Sequence, residues 1–309
     1  MKSDTFTFKA SDGVQIFTYK WMPDDASVVK GVVQIAHGMA EHAARYERFA
    51  EALTKAGYAV YANDHRGHGK TAGSQEEIGY FADETGWEKV VEDMHTLTGI
   101  VKKEFPKKPF FLFGHSMGSF LSRHYSMLYA NELSGLVLSG TGGDPGIIGK
   151  IGLFIAKMDA RIHGKKAKSE IMNKLSFGAF NDAFKPNRTD YDWLSRDNTE
   201  VDKYISDPLC GTVFTSGFFC DMLSGIGYIN KKENIAKIPK NLSIYIFSGA
   251  KDPVGASTKG VTQVFKALKS AGIGDLTLKF YEDGRHEMLN EINRDEVFSD
   301  VIAWLNKHI

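Results

Sequence analysis

The stretch Phe110-Phe111-Leu112-Phe113-Gly114-His115-Ser116-Met117-Gly118 sets four large apolar side chains in a row and then stops at a serine with a glycine two residues to either side. An uninterrupted apolar run suits a strand of a parallel sheet covered on both faces. Beyond the serine, Met117, Phe120, Leu121, His124, Tyr125 and Leu128 recur at helical spacing. Ser116 is therefore expected on a tight strand-to-helix turn, where Gly114 and Gly118 leave room for neighbouring backbone. Such a turn lifts the hydroxyl above the sheet. The free N–H groups of the new helix point to the same place and stabilise negative charge on a bound carbonyl oxygen. A Gly-x-Ser-x-Gly pattern also recurs by chance as an ordinary turn. The strand before it and the amphipathic helix after it select Ser116 as candidate nucleophile, with the Met117 N–H as an oxyanion donor.

Outward from this turn, strand and helix signals alternate. Toward the N-terminus, 5–9 and 14–19 read as a hairpin turning at Ser11-Asp12-Gly13, followed by strands at 31–36 and 58–62. Tyr46, Phe49, Ala50 and Leu53 mark one helix, and Trp87, Val90, Val91, Met94, Thr98 and Val101 another. Leu136-Val137-Leu138 continues the series, so the fold class is α/β with a mostly parallel sheet flanked by helices. From 142 to 240 the alternation gives way to helical pieces rich in Phe, Met and Ile, which reads as an insertion. Strand signals return at 244–247 and 276–280, with a closing helix through Val297, Val301 and Leu305. The expected organisation is a core of residues 1–141 and 241–309 carrying a helical cap at 142–240.

The totals narrow the function. In 309 residues, Lys+Arg and Asp+Glu both number 38, so no net charge favours a nucleic-acid partner. The two cysteines, Cys210 and Cys220, and a polar start at Met1-Lys2-Ser3-Asp4-Thr5 suggest a cytoplasmic chain without disulfides. No apolar run reaches the roughly 18 residues of a membrane-spanning helix. Between Lys150 and Lys174, however, lysines interleave with Ile, Leu, Phe and Met as in a helix resting on an anionic membrane, so peripheral contact through the cap is a candidate.

A serine nucleophile needs a base within hydrogen-bond reach and a carboxylate to orient that base. In a parallel sheet both belong just past the C-terminal ends of strands. Asp252 follows the 244–247 strand and His286 follows the 276–280 strand, with Glu282 and Asp283 as nearby rivals for the acid. His37-Gly38-Met39 lies at the end of another strand, where the Met39 N–H is expected to complete the oxyanion hole and Gly38 to permit close approach. His37 and His42 lack a Cys or carboxylate cluster at ligand spacing, so a metal is not expected. Gly69-Lys70-Thr71 ends like a phosphate-binding loop, but Asp64 stands where its first glycine belongs. Asp64 is expected instead to bind backbone amides beside the site. Glu287 and Glu291 read as solvated charges.

Together, His37-Gly38-Met39-Ala40-Glu41-His42 with Arg45-Tyr46, Asp64-His65-Arg66-Gly67-His68-Gly69, Gly114-His115-Ser116-Met117-Gly118, Asp252 and His286 resemble the α/β-hydrolase fold, and within it the monoacylglycerol lipase and bacterial lysophospholipase family. The resemblance implies a sheet of about eight strands, a cap over the site, and cofactor-free hydrolysis of fatty acyl esters through an acyl-enzyme on Ser116. Monoacylglycerols are the first expectation, with lysophospholipase, short-chain carboxylesterase, peptidase, or a catalytically silent binding protein as alternatives. Ser119 departs from the family, many of whose members carry glycine there. Gly38, His115, Phe154, Met158, Phe214 and Phe218 are candidate substrate contacts, the four cap residues as part of an apolar lining for an acyl chain.

Overall fold

The chain opens with the expected hairpin, β1 (Lys2–Lys9) and β2 (Gln15–Met22), in the computed structural model, which describes residues 1–309. Six further strands follow: β3 (Gly31–Ala36), β4 (Tyr58–Asn63), β5 (Phe110–His115), β6 (Gly135–Ser139), β7 (Ser243–Gly249) and β8 (Leu276–Tyr281). They form one sheet in the order β1-β2-β4-β3-β5-β6-β7-β8. Only the β1–β2 and β2–β4 pairs are antiparallel. The remaining pairs run parallel, as buried apolar strands linked by helices require.

Ten helices accompany the sheet: α1 (Glu47–Lys55), α2 (Gly86–Glu104), α3 (Met117–Tyr129), α4 (Gly146–His163), α5 (Glu170–Phe177), α6 (Asn198–Ser206), α7 (Ser216–Ile229), α8 (Lys232–Ile235), α9 (Lys259–Ser270) and α10 (Arg294–Lys307). Alternation along β5 divides the core between them. Phe111 and Phe113 pack with Phe49 of α1 and Phe298 and Trp304 of α10. Leu112 faces the other way, toward Val91 and Met94 of α2 and Leu121 of α3. Each fully buried side chain of this size stabilises the fold by roughly 1.5–3 kcal/mol. Leu128, read with the buried face of α3, is instead half exposed near that helix's end.

The segment between β6 and β7 is helical, and its parts attach differently. Phe214, Phe218, Phe219 and Met222, at the start of and along α7, sink into the main core beside Phe81 and Trp87. Gly225 is what lets α7 lie on Trp87, since a Cβ there would fall 2.3 Å from the indole. Helix α4 rests on α7 and buries only Ala156. A small separate core of Trp193, Leu194, Tyr204 and Cys210 holds the stretch between α5 and α7. Both cysteines are free thiols.

Because β3 to β8 are parallel, their C-terminal ends open on one edge of the sheet, and β3 lies directly beside β5. The loops after these strands therefore meet. One is the Asp64 loop, whose carboxylate accepts the Ala43 N–H and the Lys70 N–H, both at 2.8 Å, as expected.

Candidate active site

Ser116 occupies the sharp turn between β5 and α3 with φ 51° and ψ −121°, a conformation that costs a non-glycine residue roughly 1–3 kcal/mol and must be held by its surroundings. The holding groups are visible. The Ser116 N–H donates to the Ser139 carbonyl at 2.9 Å, and the Ser116 carbonyl accepts from the Ser119 N–H at 2.8 Å and the Ser119 hydroxyl at 2.6 Å. Ser119 thus uses its extra hydroxyl to brace the elbow. A Cβ at Gly114 would stand 2.4 Å from the Gly118 carbonyl, and one at Gly118 would stand 2.0 Å from the Ala36 carbonyl. Both glycines are demanded by close backbone approach.

His286, on the loop after β8, places its Nδ1 2.9 Å from Asp252 Oδ1, on the loop after β7. Asp252 is fully buried, and its carboxylate also accepts the Val254 N–H at 2.9 Å and the Ser248 hydroxyl at 3.1 Å. Burial alone would raise its pKa, but the His286 charge and these hydrogen bonds hold it below the usual carboxylate range. Burial would likewise lower the pKa of His286, yet the Asp252 carboxylate keeps it above the ordinary histidine value. Glu282 and Asp283, the rival acids, are exposed, and Asp283 takes a turn conformation with φ 57°. Ser116 and His286 border the same cavity, but no hydrogen bond joins Ser116 Oγ to His286 Nε2. Such bonds are often long before substrate closes the site.

On the opposite side, the Met39 and Met117 N–H groups have no hydrogen-bond partner in the chain, as an oxyanion hole requires. Gly38 lies so close to the nucleophile that a Cβ would meet Ser116 Cβ at 3.2 Å and Glu41 Oε1 at 2.7 Å. The fully buried His37 holds this loop: its Nε2 accepts the His65 N–H at 2.9 Å, so Nδ1 carries the proton donated to the Gly38 carbonyl at 2.7 Å. Burial drives its pKa down to about 3, which keeps it neutral. His115 contacts Ser139 Oγ at 3.1 Å, its ring centre lies 4.7 Å from that of His286, and burial together with the His286 charge lowers its pKa to about 4.

A cavity of about 580 Å³ opens over Ser116 and His286. Its wall includes Gly38, Met39 and His115, together with Phe177, Trp193, Leu194, Val254 and a polar set of Asn173, Asn181, Asp182 and Asp190. The four cap residues expected there lie elsewhere. Phe214 and Phe218 are fully buried in the main core, Phe214 against Gly79 and His68. Phe154 and Met158 lie on the outward stripe of α4, 64% and 40% exposed. Trp193 was not anticipated. Its ring lies tilted by 37° with its centre 5.1 Å from that of His286, and its backbone carbonyl accepts the His286 backbone N–H at 3.3 Å. A lone aromatic pair, Tyr191 and Trp193, in a polar stretch was its only sequence signal.

Glu287 and Glu291 are buried rather than solvated. Glu291 pairs with Arg196 at 2.9 Å, and Glu287 forms a two-pronged pair with Arg45 at 2.6 and 2.7 Å. Arg45 also reaches Glu41 at 2.6 Å and, against the cost of burial, keeps both carboxyls below their ordinary pKa. One grouping has potential metal-ligand spacing, namely His42, Asp207 and Cys210, whose ligand atoms lie within 4.8 Å of one another. Its His42 and Asp207 already bond at 2.9 Å, and burial pushes the Cys210 thiol up, away from the thiolate a metal would take.

Residues 27–293 match the protein family described as serine aminopeptidase, S33. The chain is 31% identical to the monoacylglycerol lipase of Mycolicibacterium smegmatis over 98% of its own length and 97% of that protein. It is 26% identical to the monoglyceride lipase of Rattus norvegicus, over 97% and 89% of the two chains. Among solved structures, a highly thermostable carboxyl esterase from Bacillus coagulans, in complex with glycerol, superposes with a TM-score of 0.91 at 30% identity and 99% coverage of both chains.

Proposed function

The chain belongs to the serine hydrolase family described as serine aminopeptidase S33, with the α/β-hydrolase fold, and from that premise we propose that it cleaves monoacylglycerols through an acyl-enzyme on Ser116. The carrying observation is the strained Ser116 sharing one cavity wall with an Asp252-oriented His286, flanked by the unpartnered N–H groups of Met39 and Met117. In this reading Ser116 Oγ attacks the ester carbonyl while His286 Nε2 takes its proton, and the Met39 and Met117 N–H groups hold the oxyanion. Collapse breaks the acyl C–O bond, and the imidazolium returns the proton to the departing glycerol. Water then attacks the acyl-serine by the same route and releases the fatty acid. No cofactor enters the cycle. The mixed lining supports an amphiphilic ester, since Met39, Phe177, Leu194 and Val254 suit an acyl chain while the Asn and Asp side chains suit a diol. Substituting Ser116→Ala should abolish both monoacylglycerol turnover and labelling by a fluorophosphonate. Retained turnover would remove Ser116 from the role, and labelling of the parent without monoacylglycerol turnover would point to another ester.

The cap supports peripheral membrane contact as part of this reading. Ile147, Ile148, Ile151, Phe154 and Ile162 of α4 and Ile171 and Leu175 of α5 are all more than half exposed, among Lys150, Lys157, Lys165 and Lys166. Apolar side chains ringed by lysines suit an anionic bilayer surface. Helix α5 also lends Asn173, Lys174 and Phe177 to the cavity wall, so a lipid surface on its outer side would lie next to the site. No helix is long and apolar enough to cross a membrane. Sedimentation with vesicles that shows no dependence on anionic lipid would remove this contact.

A further inference from the structure

We infer that Arg45 is a positioning residue that locks the oxyanion loop, the histidine loop and the cap into one geometry. This rests on the proposed role of Ser116 and His286 and adds the means by which the two halves of the site are registered.

The oxyanion donor Met39 and the base His286 come from loops nearly 250 residues apart, after β3 and after β8, strands that are not neighbours in the sheet. No ladder hydrogen bond sets one against the other. The guanidinium of Arg45 does. Its Nη1 donates to Glu41 Oε2 at 2.6 Å, and Glu41 Oε1 accepts the Gly38 N–H at 2.6 Å and the Tyr46 hydroxyl at 2.8 Å. Toward the other loop, Nη1 and Nη2 donate to both Glu287 oxygens. Glu287 follows His286 directly, and its N–H donates to the Leu194 carbonyl at 2.8 Å. The guanidinium also lies over Tyr204 of α6 at 4.9 Å, and the Tyr204 hydroxyl donates to the Ala40 carbonyl at 2.9 Å. Arg45, Glu41 and Glu287 have side chains only 12%, 4% and 7% exposed, so the charges act with little solvent screening. A planar fork can hold two carboxylates at once, which a lysine cannot reproduce.

The cluster has a second consequence. Two carboxylates against one guanidinium leave a surplus negative charge beside His286, which favours the imidazolium formed as Ser116 loses its proton. The other ionisable groups facing His286 are Asp252, which carries the same sign, and the neutral His115.

The test uses the full chain with a soluble chromogenic ester, and counts active sites by fluorophosphonate titration so that unfolded protein does not enter the rate. Arg45→Met should lower kcat per active site roughly 100-fold, the cost of a misplacement near 1 Å, with a much smaller change in KM. Arg45→Lys should recover part of the loss. Glu287→Gln should move the acid limb of kcat/KM to lower pH, because the imidazolium loses a nearby negative charge. Parent-level kcat in Arg45→Met would overturn the inference, as would an acid limb unmoved in Glu287→Gln. If Arg45→Met yields no folded protein, the acid limb of Glu287→Gln decides. Failure of the ester-hydrolase reading itself would show separately, as parent protein with no titratable serine.

Discussion

Replacing Asp252 by Asn separates two things an orienting carboxylate does, and the hydrogen bonds around it say which one is lost. The Oδ1 atom accepts from both His286 Nδ1 at 2.9 Å and the Val254 N–H at 2.9 Å, while Oδ2 accepts from Ser248 Oγ at 3.1 Å. An amide turned with its NH₂ toward His286 would set two donors, that NH₂ and the Val254 N–H, against each other in a fully buried site. The opposite orientation places the NH₂ against Ser248 Oγ, which can accept it and pass its own proton to the Gly249 carbonyl, 3.3 Å away. The amide oxygen is thereby pinned toward His286. The imidazole keeps its Nδ1 proton and its Nε2 lone pair toward Ser116.

What Asp252→Asn removes, then, is the negative charge rather than the tautomer. A charge pair about 4 Å apart is worth about 4 kcal/mol at an effective dielectric near 20. At about 1.4 kcal/mol per decade this is about a thousandfold in kcat/KM, short of the roughly 10⁴-fold that a wrong tautomer costs in a serine protease triad. The pH profile carries a second signature. His286 has its pKa raised by Asp252, so the base form is lost as pH falls through a value above the ordinary histidine range, and the variant's acid limb should sit at lower pH. The assay is kcat/KM on a soluble ester across pH. A loss of 10⁴-fold or more, or a limb at its original position, would refute the reasoning.

Further expectations follow from single contacts. Gly118→Ala drives a methyl to within 2.0 Å of the Ala36 carbonyl and should destabilise the fold by about 3 kcal/mol or more, read by denaturant unfolding. Ser119→Gly removes the hydroxyl that donates to the Ser116 carbonyl at 2.6 Å and should cost about 1 kcal/mol of stability, with no change in the acid limb. Ile148→Asp with Phe154→Asp charges two side chains that are 79% and 64% exposed, so thermal unfolding should hardly change while binding to anionic vesicles falls at least tenfold. Trp193→Ala takes away the ring whose centre lies 5.1 Å from that of His286 and should lower kcat more than it lowers stability, measured on the soluble ester and by thermal unfolding.

Features written in neighbouring residues are legible in the sequence itself. The elbow is one, because a buried strand, two glycines and an amphipathic helix all fall within a short span around Ser116. Asp252 and His286 could be located because a parallel sheet restricts loops of this kind to one edge. The Arg45 cluster was not legible, since its Glu287 partner is 242 residues away and each residue alone looks like ordinary surface charge. Glu287 and Glu291 were misread for the same reason: burial of a charge is decided by a distant partner, not by its neighbours in sequence.

The cap shows a different limit. Ile147, Ile151, Phe154, Met158 and Ile162 repeat at the spacing of a core-facing helical stripe, and periodicity reports that such a stripe exists without saying what covers it. On α4 that stripe faces outward, and α7 supplies the buried one, with Phe218, Phe219 and Met222 against the main core. The two helices have opposite fates: α4 carries Lys150, Lys157, Asp159 and Arg161, whereas α7 carries the single charge Asp221 and meets Trp87, where Gly225 removes the one Cβ that would hold the helix off the indole. A helix excluded from the core in this way keeps its apolar stripe in water unless a second surface receives it. The exposed Lys150, Lys157, Lys165 and Lys166 among these side chains are what an anionic surface, as proposed above, would meet, and α5 beside them lends Asn173, Lys174 and Phe177 to the cavity wall.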